Sequence, residues 1–236
     1  MAQDRAIITG DIISGAFRRL GAHRESVLVY LLIFVLLGTV ANWADVLTGQ
    51  IDQSVDGFDE LRADFAYGGF GLLYLIAGTV GHYWLFGKLL DNPQAASLGD
   101  VGRWVLFIGL AIVSWLGVAF ATVFLIFPGL FLASRWLMSP AIYVDRRTGV
   151  FEALGESWRA TRGNTTPVLL SLVVIVLMLI VVAVVLGALT LIESTVVTAF
   201  VDAFITELFG VLTMGMSVTV YAALVGRDRE VADVFA

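Results

Sequence analysis

The chain of 236 residues is 59% hydrophobic and only 14% charged, with a net charge of −6 and no cysteine; its mean hydropathy is +0.92. Soluble domains carry roughly a quarter charged residues, so a soluble fold is excluded, and the same apolar excess excludes disorder. The acidic balance argues against nucleic acid as a partner, and without cysteine there is no disulfide, thiolate metal site or cysteine nucleophile.

A bilayer core about 30 Å thick needs about 20 helical residues, and uncharged runs of that length recur along the chain. Residues 10–22 come first as an amphipathic helix, with Ile12, Ile13, Ala16, Phe17 and Leu20 on one face and Arg18, Arg19 and Arg24 off it. A first span follows over 26–44, then an acidic loop over 44–66 with Asp45, Asp52, Asp56, Asp59, Glu60 and Asp64. The loop's spacing does not fit an EF-hand, and it reads as solvated. The second span covers 67–89, and 94–103 is a weaker amphipathic stretch. The third span covers 104–127, and Pro128-Gly129 reads as a tight turn into a fourth over 129–145, interrupted by Arg135 and Pro140. Residues 149–163 form another amphipathic helix, with Phe151, Leu154 and Trp158 opposite Glu152, Glu156, Arg159 and Arg162. Two spans close the chain, 167–192 and 199–225, the last carrying Asp202 and Glu207 in its outer half.

The expected fold is therefore an all-α integral membrane protein of one domain, with six transmembrane helices and cytoplasmic interfacial helices. Six spans with both termini inside leave only Arg62 outside and Arg135 within a helix; the other twelve of the 14 Lys and Arg residues lie on the cytoplasmic side, as positive-inside topology requires. The first span is too long for a signal-peptide core and ends in Asn42-Trp43-Ala44-Asp45, so it is expected to be retained. Basic interfacial helices attract anionic lipid. Arg18, Arg19, Arg24, Arg146, Arg147, Arg159 and Arg162 are the expected contacts with anionic headgroups, and membrane lipids the expected partners.

One stretch carries a likeness. Phe127-Pro128-Gly129-Leu130 leads to Ser134-Arg135-Trp136 and Ser139-Pro140-Ala141-Ile142-Tyr143-Val144-Asp145. After a spacer come Phe151-Glu152-Ala153-Leu154 and Glu156-Ser157-Trp158-Arg159-Ala160-Thr161-Arg162-Gly163. This pattern resembles a bacterial six-helix family of YciC-like inner-membrane proteins, similar also to the membrane domain found ahead of some glycerophosphodiester phosphodiesterases. The resemblance centres on residues 125–175 and implies an inner-membrane architecture. A phosphodiesterase barrel needs some 200 or more residues, which the extramembrane stretches here do not hold, so no such activity is expected.

No other chemistry is written into the spans. His23 and His82 lack helical partners of ligand type, and no G-x-S-x-G, P-loop or dinucleotide fingerprint occurs, so no enzyme, metal or cofactor is expected. His82-Tyr83-Trp84 reads as an aromatic belt. Gly117-x-x-x-Ala121, Ala183-x-x-x-Gly187 and Thr206-x-x-x-Gly210 fit close helix packing, a homo-oligomer or a membrane-protein partner alike. Intramembrane charges normally face inward and find a partner. Arg135, seven residues past Pro128, and Glu207, eight residues into the last span, fall at matching depth. The expectation is that they pair, with Asp202 as second choice. Function narrows to a lipid-engaging or envelope-maintaining membrane protein, with a small-solute or lipid transporter built on Arg135 and Glu207 as the alternative.

Overall fold

The computed structural model describes residues 7–51 and 57–225, with side chains described except over 44–68 and at Phe70, Phe124 and Ile126. The acidic loop and its carboxylates lie outside the described side chains. The described residues are helical throughout, without strands: α1 Thr9–Ala22, α2 Arg24–Ile51, α3 Gly57–Leu89, α4 Pro93–Ala96, α5 Val101–Phe124, α6 Ile126–Trp136, α7 Ser139–Arg146, α8 Val150–Ala160, α9 Thr165–Gly187 with a 3-10 turn Ala188–Ile192, and α10 Thr195–Leu224. Four of these segments are long and apolar enough to cross a membrane: Arg24–Trp43, Val101–Val123, Thr165–Ile192 and Thr195–Leu224. Their outward faces carry exposed Leu28, Leu32 and Leu36 on α2, and Val181, Val184 and Val185 on α9. Apolar surface in such continuous stripes is stable only against lipid or another apolar partner.

The fourth predicted span is not one helix. Its break from α5 falls at Leu125, which is extended, rather than at Pro128-Gly129. Pro128 sits in the first turn of α6, where its missing N–H has no intrahelical partner to lose. A second break separates α6 from α7, and Pro140 opens α7. At Gly163, φ is +88°, a backbone that favours glycine and turns the chain from α8 into α9.

The element order repeats three times as a short helix followed by two longer segments. The later short helices pack back on what precedes them: α4 against α3, and α8 against α5, α6 and α7. The amphipathic α1 closes the ring against α10 and α9. It buries Ile12, Ala16 and Leu20, whereas Phe17 is exposed. At the centre, Phe107 of α5 meets the rings of Tyr83, Phe86 and Tyr143 at centroid distances of 5.4, 6.1 and 5.8 Å.

Candidate functional site

Arg135 and Glu207 do not meet. Among the described residues neither forms an ion pair with the other or with Asp202, which is exposed. Arg135 of α6 turns to α8, whereas Glu207 of α10 turns to α2 and α3, so the two charges look into different helix interfaces. Matching depth is a statement about height alone.

Arg135 is 9% exposed and is clamped by α8. Its guanidinium lies over the ring of Trp158 at 4.7 Å and that of Phe131 at 5.5 Å. Nη1 donates to the Trp158 carbonyl at 3.1 Å and to Thr161 Oγ1 at 3.3 Å. The Ser157 hydroxyl donates back to the Arg135 carbonyl at 2.7 Å. Nε is buried without a hydrogen-bond partner. Arg162, one residue past Thr161, is close enough for its positive charge to act on Arg135. Among the described residues no carboxylate lies within ion-pair distance of Arg135, so the site is cationic. Aromatic faces and a carbonyl hold an arginine well, yet they leave its charge uncompensated.

Glu207 is 4% exposed and is held by two phenols that sequence reasoning missed. Tyr30 of α2 donates to Oε2 at 2.8 Å, and Tyr74 of α3 donates to Oε1 at 2.6 Å. His82 Nδ1 stands 3.2 Å from the Tyr30 hydroxyl and 2.7 Å from the Gly78 carbonyl. That carbonyl can only accept, so Nδ1 carries the hydrogen. Two glycines make the room. A Cβ at Gly38 would lie 2.9 Å from the Tyr74 hydroxyl, and one at Gly210 would lie 3.1 Å from His82 Nε2. The signal was available: a tyrosine in mid-span must find a partner for its hydroxyl.

His82 also borders a cavity of about 450 Å³ between α3, α5, α6, α7 and α10. Its walls are mainly apolar, but Ser114 and Ser217 line it, and both hydroxyls are buried without a partner.

The remaining predicted lipid contacts divide. Arg146 pairs with Glu156, and Arg147 pairs with Asp100 and donates to Gln94 Oε1 at 2.9 Å. Arg19 reaches the Leu89 carbonyl at the end of α3 at 3.4 Å. Arg159 donates to the Gly155 carbonyl of its own helix at 3.3 Å. Arg18, Arg24, Arg159 and Arg162 are exposed. Arg18 and Arg19 line a cleft of about 530 Å³ beside α10, with Asp11, His23 and Asp91. A basic residue not among the predicted contacts, Arg103, is spent internally: it donates to the carbonyls of Thr148 at 3.1 Å and Tyr143 at 2.9 Å and stacks on the Tyr143 ring.

Comparison with known proteins gives no match to any family model, curated protein or solved structure.

Proposed function

We propose that this is a non-enzymatic, six-span protein of the bacterial inner membrane, with both termini cytoplasmic, that engages anionic lipid headgroups at the Arg135–Arg162 site. In this reading α3 and the broken α6–α7 pair join the four long apolar helices as spans, and α1 and α8 lie at the cytoplasmic interface. The observation that carries it is Arg135 itself: a nine-tenths buried guanidinium with an unpartnered Nε, a second arginine beside it and no carboxylate among the described residues. A phosphate oxygen is the acceptor such a fork suits best. The proposed kinship with the YciC-like family rests on the same residues, because Ser134-Arg135-Trp136 and Ser157-Trp158 through Gly163 are the segments that form this clamp.

The test is native mass spectrometry of the protein extracted from mixed phosphatidylglycerol and phosphatidylcholine nanodiscs. Wild type is expected to retain phosphatidylglycerol in preference, and Arg135→Gln with Arg162→Gln to lose that preference. Equal retention of both lipids by wild type overturns the reading, as does a preference that survives the double variant. A second reading, a small-solute or lipid transporter, is favoured by the cavity beside His82, where two buried hydroxyls lack partners.

A further inference from the structure

The Glu207 cluster stands apart from the Arg135 site proposed to engage lipid. An ionised carboxylate among apolar helices is expensive unless paired or coordinated, and intramembrane carboxyls that lack a cation recur in proton pathways. Glu207 has no cation within ion-pair distance among the described residues. Titratable side chains reach its carboxyl from two of the helices packed on α10: Tyr30 from α2, and Tyr74 and, one hydroxyl removed, His82 from α3. A metal ion fits poorly. Both phenols point their hydrogens at the carboxylate, and carboxylate and phenols together supply four oxygens where hard cations take six or more.

The remaining groups form a directed chain. His82 Nδ1–H donates to the Gly78 carbonyl at 2.7 Å and also lies 3.2 Å from the Tyr30 oxygen, and the Tyr30 hydrogen faces Glu207 Oε2. The opposite nitrogen, Nε2, is the acceptor of the neutral ring and lies beside the bare Gly210, on a residue that borders the cavity. Ser114 and Ser217 line that same space, and their hydroxyls are buried without a partner. Buried hydroxyls of this kind are ordinarily satisfied by water when a cavity has room for it.

We propose that Glu207, cradled by Tyr30 and Tyr74, is a protonation site that exchanges its proton with the neighbouring cavity through Tyr30 and His82. On loading, His82 Nε2 takes a proton from water in the cavity, Nδ1 passes its own to the Tyr30 oxygen, and Tyr30 passes its hydrogen to Glu207 Oε2. The carboxylate becomes a neutral acid, and the hydroxide left in the cavity takes a proton from hydronium or a buffer acid of the bulk solution, giving water. Unloading reverses each transfer.

Infrared difference spectroscopy of the full chain in lipid nanodiscs tests this directly, with pH steps as the perturbation. Wild type is expected to gain and lose one carboxylic C=O band in the region of buried, hydrogen-bonded acids. Glu207→Gln is expected to lose that band. Tyr74→Phe removes one hydroxyl and keeps the ring, so it is expected to retain the band at a shifted frequency, which holds the test open if the glutamine variant fails to fold. His82→Phe is expected to keep the band and to slow its hydrogen–deuterium exchange. No titrating band in wild type overturns the proposal, as does a band that survives in Glu207→Gln. A band abolished by sodium at constant pH assigns the site to a metal cation and overturns it equally. Unaltered exchange in His82→Phe overturns the route through the histidine.

Discussion

Replacing Arg135 with methionine keeps an unbranched apolar stem and removes the guanidinium. The ring of Trp158 lies 4.7 Å from that guanidinium. A cation over an aromatic face contributes about 0.5–1 kcal/mol when exposed and about 2 when desolvated, and a side chain only 9% exposed belongs near the upper value. The bond from Nη1 to the Trp158 carbonyl adds roughly 1.5 kcal/mol, the lower end for a charged donor, because Thr161 Oγ1 also approaches that carbonyl at 3.3 Å. Against this loss of about 3.5 kcal/mol stands the relief of removing an uncompensated cation, which is itself several kcal/mol. The single variant therefore reports a difference of large terms, and a double-mutant cycle isolates the one of interest. Trp158→Leu removes the ring and leaves the carbonyl. The coupling between Arg135→Met and Trp158→Leu is expected at about 1–2 kcal/mol, read from reversible unfolding in detergent followed by circular dichroism. Arg135→Met and Glu207→Gln are expected to add within about 0.5 kcal/mol, since they share no partner. Coupling of about 3 kcal/mol or more in the second cycle would restore the ion pair. Absence of coupling in the first would refute the aromatic clamp.

Three further substitutions probe the frame around the two sites. Gly163→Ala forces an alanine to φ +88° and should cost about 1–2 kcal/mol, seen as a lower midpoint in the same unfolding assay. Arg103→Lys cannot serve the Thr148 and Tyr143 carbonyls together or stack on the Tyr143 ring, and a loss of about 1.5–3 kcal/mol is expected; a neutral result would show that the fork is dispensable. Gly38→Ala sets a methyl 2.9 Å from the Tyr74 hydroxyl and 3.1 Å from Ala203 Cβ, and should cost about 1–3 kcal/mol by overpacking. Its control is Gly10→Ala, where a new Cβ meets nothing within 4 Å and stability should hold or rise.

Hydropathy made the long helices legible because an apolar run of spanning length has few other stable fates. Turn placement was less legible. Pro128 suits a turn and suits the first turn of a helix equally, so the residue alone could not separate Leu125 from Pro128 as the break. The Arg135–Glu207 expectation failed for a different reason. Counting residues from a helix end gives depth at 1.5 Å per residue but says nothing of azimuth, and each residue turns the face by about 100°. Glu207 faces Tyr30 and Tyr74, and both tyrosines are hidden in sequence as two more aromatic letters in apolar runs. Gly38, beside Tyr74, and Gly210, beside His82, carry the missing information, since they mark where a side chain from a neighbouring helix comes close.

The ring of short helices changes how the cytoplasmic charge is to be counted. A positive-inside count treats every arginine as equivalent, yet the packing of α4 and α8 onto the preceding helices draws several of them inward. Arg146 faces Glu156, Arg147 faces Asp100, Arg103 binds two carbonyls, and Arg19 binds the end of α3. Such residues hold the units together. In the proposed topology, attraction to an anionic leaflet, about 1 kcal/mol per basic residue near the surface, falls chiefly to the exposed Arg18, Arg24, Arg147, Arg159 and Arg162. Arg18 lies on α1 with Arg24 just past it, and Arg147 precedes α8 while Arg159 and Arg162 lie at its end, so the pull is concentrated at two of the three short helices. At α8 it lies beside Arg135, where a headgroup drawn to the surface would meet a buried guanidinium that still lacks an acid.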